Sequence, residues 1–134
     1  TDLVASTLML LFIVTETIAD NQQYRFQSVK LSAAENEKPY IESLSKGFLT
    51  EGLWKHVRHP NFASEQAIWI SFYLFSVAAS GKWINFTLLG PVLLVILFIG
   101  SSVMTEKISS SKYPDYTIYQ REVPKFIPRI FRKK

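Results

Sequence analysis

Cysteine is missing altogether from these 134 residues, which excludes a disulfide framework, a thiolate metal site and a cysteine nucleophile together. No metal is expected. An initiating methionine is lacking as well, because the chain starts at Thr1, and no basic segment precedes the apolar run that opens at Leu3. The chain is therefore expected to be a processed or C-terminal portion of a longer protein. At this length a second domain is not expected, and the whole of 1–134 is read as one membrane domain. Cations are nearly absent from one stretch: only Lys82 falls between residues 62 and 104.

What is present is 48% hydrophobic and 14% aromatic, and its apolar residues are gathered into long blocks instead of being dispersed as in a soluble core. Leu3 to Ala19, Phe62 to Ser80 and Ile84 to Met104 are each near the length that crosses a roughly 30 Å hydrocarbon layer. The fold class expected is all-α, an integral membrane helical bundle of about three transmembrane helices. Gly81, Lys82 and Trp83 alone separate the last two runs, which predicts a tight antiparallel hairpin with Trp83 at headgroup level. Asn21 to Pro60 reads as a long loop, with a surface excursion over AAENEK, residues 33–38, and Pro39. Thr105 to Tyr119 reads as a C-terminal surface helix.

Six Lys or Arg lie in residues 21–61 and eight in 105–134, against the single Lys82. The loop and the tail are thus expected on the cytosolic side, or the matrix side of a mitochondrion, with the Lys82 turn opposite. The basic tail, Lys125 to Lys134, is expected to meet anionic lipid headgroups and no nucleic acid.

Charges at the rim of a membrane helix are costly unless paired or wet, so they are the first place to look for function. Glu16 and Asp20 are four apart and share a helix face with Gln23 on the same stripe, while Asn61, Glu65 and Trp69 form a second stripe at that spacing. Both stripes fall at the cytosolic ends of their helices, beside Arg58 and His59. Pro60 suits a first helical turn. Arg58 and His59 just before it would favour an anion at the helix N-terminus, and Arg25 could reach the same anion. Arg58 and His59 can equally pair with Glu51 or a lipid phosphate, and Trp54, Tyr113, Tyr116 and Tyr119 read as packing or interface residues.

Three stretches, Glu16 to Gln27, Gly52 to Trp69 and Thr105 to Pro128, resemble the C-terminal domain of the steroid 5-alpha-reductase-like membrane proteins. The resemblance is to an uncharacterised branch with Ala-Asp-x-Gln, Arg-His-Pro-Asn-(Tyr/Phe)-x-x-Glu and a closing Tyr-x-x-Tyr…Phe-Ile-Pro. Isoprenylcysteine carboxyl methyltransferases and phospholipid methyltransferases share the Arg-His-Pro region. The resemblance implies an NADPH pocket at the cytosolic face, the same pocket that the charge pattern marks. The two readings together give Glu16, Asp20, Arg25, Arg58, His59, Asn61, Glu65 and Trp69 as the expected cofactor-binding residues, Glu16 and His59 from the charge pattern alone. In it, Asp20 would hold the adenosine or ribose region and Arg25 and Arg58 would face phosphates. Asn61 and Glu65 would hold the nicotinamide carboxamide, with Trp69 at its edge. Ser64 stands where many relatives carry glycine. The proton donor of the reductases is implied on N-terminal helices outside this sequence, so no catalytic residue is assigned.

The leading expectation is an NADPH-dependent reductase domain acting on a double bond of a sterol or other lipid. A methyltransferase using S-adenosylmethionine on a lipid or prenylated acceptor is the second, and a non-catalytic subunit of a larger membrane assembly, without cofactor, is the third. Membrane lipids, a lipid or sterol substrate and other membrane subunits are the partners expected. The endoplasmic reticulum is the expected location, with the mitochondrial inner membrane as the alternative.

Overall fold

The computed structural model describes residues 1–31 and 41–130. Among them every regular element is helical: α1 Asp2–Leu31, α2 Ile41–Lys46, α3 Pro60–Ser80, α4 Leu89–Lys112 and α5 Tyr116–Glu122, with short 3-10 turns at Gly52–Lys55 and Phe86–Leu88. α1 and the stretch Phe86–Lys112 are long and apolar enough to cross a membrane. The 21-residue α3 has the length but carries Glu65 and Gln66 in its second turn, and it is not among those two.

α1 continues past the expected end at Ala19 to Leu31, because Asn21 to Leu31 contains neither glycine nor proline to stop it. Its 30 residues reach about 45 Å, so the polar half extends well beyond any hydrocarbon layer that the first half crosses. The excursion expected over 33–38 lies outside the described residues.

α3 begins at Pro60 and stops at Gly81, whose N–H bonds to Val77 O at 2.8 Å. The connection to α4 is longer than the expected three residues. Asn85 builds it, accepting the Thr87 N–H at 3.0 Å and donating to Lys82 O at 3.0 Å. α4 then runs through Met104 to Lys112, so the surface helix expected over Thr105 to Tyr119 is divided in two. The division falls at Tyr113, whose extended backbone (φ −120°, ψ 120°) is what the following Pro114 imposes.

α1 packs along α3 through small residues. Ala5 and Ala19 are wholly buried, as nearly are Ser64 and Ser71, which lets the two backbones approach closely. The serine hydroxyls are satisfied within α3, on Pro60 O and Ala67 O at 2.8 Å each. α4 meets α3 more lightly, with Phe62 and Phe98 rings 4.8 Å apart. Beyond the apolar runs, Phe48 sits among Tyr113, Tyr116 and Tyr119, at 5.8, 5.0 and 5.4 Å between ring centroids. The tail then crosses back: Arg58 and His59 donate their backbone N–H groups to Pro124 O and Lys125 O, at 2.9 and 3.1 Å.

Candidate functional site

The antiparallel run of α1 and α3 sets depth. Glu16 on α1 and Glu65 on α3 come within hydrogen-bonding reach, and the Asp20 charge, one turn along α1, also acts on Glu16. Glu65 accepts the Trp69 indole N–H at 2.9 Å. Among the described residues no cation lies within ion-pair distance of Glu16, Asp20 or Glu65. The cluster is thus rich in acceptors and poor in donors, an arrangement that favours a ligand presenting N–H or O–H groups.

A cavity of about 230 Å³ opens one to two turns farther along α1, lined among others by Gln23, Arg58, Asn61, Thr105, Ser109 and Tyr116. The amide oxygen of Gln23 is itself buried and has no hydrogen-bond partner. An unmet buried acceptor costs about 1–3 kcal/mol. Asn61 bonds the Phe62 N–H through its own oxygen at 3.0 Å. Neighbouring Gln22 holds the 3-10 turn in place by accepting the Leu53 N–H at 3.0 Å. Gly52 permits this approach: it has φ +64°, and a Cβ there would meet the Gln22 amide at 2.6 Å.

Arg58 and His59 take a different course from the expected anion site. The Arg58 guanidinium donates from Nε to Glu106 Oε1 at 2.7 Å and from Nη1 to the carbonyls of Gln120 and Val123. His59 Nε2 meets the same Glu106 oxygen at 3.0 Å, and Lys125 and Gln120 approach the other, at 3.8 and 3.4 Å. Burial pushes the His59 imidazole below its ordinary range against the pull of Glu106, so it is a neutral donor here. Neither Arg58 nor His59 pairs with Glu51, which instead accepts the Ser43 hydroxyl at 2.8 Å. The guanidinium that was to face phosphates is turned inward by a carboxylate on α4.

The structure therefore gathers Glu16, Glu65 and Trp69 in one cluster, leaves Asp20 exposed one turn along α1 with only its charge acting on Glu16, holds Asn61 one turn away in the cavity wall, and draws Arg58 and His59 into another cluster. Arg25 is exposed and joins neither: five residues beyond Asp20, it lies roughly 140° around the helix from it. Glu106, Gln22, Thr105 and Ser109 were missed. Glu106 had a signal, being a carboxylate two residues past the apolar run that ends at Met104, but assigning that stretch to a separate surface helix hid it.

On the other face of α3 an apolar groove of about 580 Å³ runs between α1 and α3, walled by Phe12, Ala63, Ala67 and Ile70 and closed by Phe126 to Pro128 of the tail.

Residues 1–123 match the model of a family described as a protein of unknown function, DUF1295. An uncharacterised protein of Schizosaccharomyces pombe is 40% identical over 135 residues, covering 96% of this chain and 39% of the yeast protein. The chain thus spans about two fifths of the length of the curated relative it matches. No solved structure matches it.

Proposed function

The chain belongs to the DUF1295 family, which is steroid 5-alpha-reductase-like in general, and from that premise we propose that it is the cofactor-holding part of an integral membrane reductase. It binds NADPH at the cytosolic end of its helices and serves the reduction of an activated double bond in a sterol or other lipid. The observation that carries this reading is the meeting of Glu16 and Glu65, with the Asp20 charge one turn along α1, on the two helix stripes that carry Gln23 and Asn61 into the wall of the cavity.

A bilayer setting is supported by the surfaces of the two apolar helices. Leu10, Phe86, Ile96 and Leu97 are all more than half exposed, and apolar faces of that extent need lipid or further helices to cover them.

The residues fit a nicotinamide dinucleotide at one end. Gln23 and Asn61 offer amide groups to a carboxamide, and the carboxylates offer acceptors to amide or ribose hydroxyl hydrogens. At about 230 Å³ the cavity is below the roughly 300 Å³ at which ligand pockets usually start, so it takes one moiety and leaves the rest of the ligand outside. Arg58 fits the phosphate role poorly, since its charge is met by Glu106 and its Nε and Nη1 donors are engaged by that carboxylate and two carbonyls. When bound, NADPH would supply a hydride to the double bond. The chain's own part is to bind and orient the nucleotide, while the 580 Å³ groove offers an apolar seat for a lipid.

Melting of the detergent-purified chain tests this reading. NADPH is expected to raise the midpoint and S-adenosylhomocysteine to leave it unchanged; the reverse pattern would replace the reductase by a methyltransferase.

A further inference from the structure

If one end of a nucleotide sits at Gln23 and Asn61, its remainder must lie farther out along α1 and α4. Seven residues on from Gln23 is Lys30, and seven on from Thr105 is Lys112. Both steps are near two turns, roughly 10 Å on the same helix faces. The two lysines meet at Tyr113. Lys30 Nζ donates to the Tyr113 hydroxyl at 2.7 Å and to Gly47 O at 2.8 Å, and Lys112 Nζ lies 5.5 Å from the Tyr113 ring centre. Gly47 (φ +90°) allows the ring to lie against its backbone, where a Cβ would meet Tyr113 at 2.6 Å. Among the described residues neither lysine has a carboxylate within ion-pair distance. The nearby ammonium groups hold the Tyr113 phenol below its ordinary range, the Lys30 hydrogen bond first.

We propose that Lys30, Lys112 and the Tyr113 hydroxyl form a phosphomonoester site that holds the ribose 2′-phosphate of NADPH and so selects it over NADH. The inference rests on the nucleotide reading above and adds the specificity device. Two ammonium groups and a phenol O–H, converging with no counter-charge among the described residues, offer a doubly charged phosphate several donors at once. A lipid phosphate would present the same chemistry, but depth argues against it. Lys30 stands fourteen residues beyond Glu16, roughly 21 Å along the axis. With Glu16 at the hydrocarbon edge, that is well past a headgroup layer of roughly 5–8 Å.

The test is titration of the purified full chain with NADPH and with NADH, read by thermal midpoint. Wild type is expected to prefer NADPH by about tenfold or more, the size of one charge-assisted hydrogen bond. Lys30→Ala and Lys112→Ala should each erase most of that preference while leaving NADH affinity unchanged. Lys112→Ala removes no hydrogen bond to the backbone, and the unliganded midpoint of each variant reports whether it folds. Equal wild-type affinity for the two nucleotides, or lysine variants that weaken both alike, would overturn this site and leave the reductase reading standing. Binding of neither nucleotide overturns both. Variants that keep the NADPH preference but lose binding to phosphatidylcholine vesicles containing phosphatidylserine would assign the lysines to lipid instead.

Discussion

Two polar clusters lie near the same end of the helices, and they differ in how their charges are met. In the first, Glu106 is met by Arg58, His59, Lys125 and Gln120, with both oxygens engaged. In the second, Glu16 and Glu65 face each other with the exposed Asp20 one turn along α1, and among the described residues the only hydrogen bond to them from another side chain is that of the Trp69 indole N–H. A buried charge with full partners holds a structure together, and its removal leaves the partners stranded. Carboxylates brought together without donors do the opposite: they weaken the fold where they stand, and they are tolerated where a ligand completes them. The first cluster fastens the tail and α4 to the start of α3; the second is available for binding.

Breaking that contrast most forcefully means removing Glu106. In Glu106→Ala the Arg58 guanidinium, 11% exposed, loses its carboxylate, and a loss of about 3–5 kcal/mol is expected. A denaturant titration in detergent reads it. Glu16→Gln in the other cluster should leave stability equal or raised, since a neutral amide that can donate to Glu65 replaces a carboxyl that must either share a proton with it or repel it. If Glu16→Gln costs as much as Glu106→Ala, both clusters are structural and the distinction between them fails.

The ligand side of the contrast is the next in size. Glu65→Gln keeps the shape and the acceptor for Trp69 but exchanges a charged acceptor for a neutral amide. NADPH affinity is expected to fall by about 1.5–3 kcal/mol with the unliganded midpoint retained. Unchanged affinity would remove Glu65 from the nucleotide site while leaving Glu106 in its structural place.

The two long apolar helices and the meeting of Glu16 on α1 with Glu65 on α3 were legible in the sequence, because they follow from apolar run length and four-residue spacing. Those rules act within one helix and transfer between helices once the charge asymmetry fixes which ends are level. The partner of Arg58 was not legible. Glu106 is 48 residues away, and only the tail's backbone pairing and the uninterrupted course of α4 bring it there. The continuation of α1 to Leu31 was obscured for a simpler reason: polarity after Asp20 looks like a loop, although nothing in Asn21 to Leu31 breaks a helix. Lys30 and Tyr113 stand 83 residues apart, and each by itself looks like an ordinary surface residue.

A smaller effect probes the frame beneath the cavity. Gly52 combines a left-handed backbone with contact against Gln22, so Gly52→Ala is expected to cost about 1–3 kcal/mol at a site in a sparsely populated backbone region. If the strain is local to the cavity wall, NADPH affinity should fall along with stability, because Gln22 adjoins Gln23. A stability loss with unaltered affinity would mean that the turn supports the fold without shaping the cavity.

The mildest effect expected comes from inside the satisfied cluster. His59 is 4% exposed and sees Glu106, Arg58, Lys125 and the rings of Phe62 and Phe126. Its folded-state pKa is lowered, chiefly by burial, whereas the unfolded chain keeps the ordinary imidazole value near ~6.5. Between those two values the unfolded state binds more protons, so stability increases with pH across that window. It is full above the ordinary imidazole value and is lost as pH falls through the folded one. His59→Gln should retain a neutral N–H toward Glu106 and flatten the profile there. A wild-type profile already flat in that window, or one whose slope survives in His59→Gln, would place the titrating group outside this cluster and return attention to the carboxylates of α1 and α3.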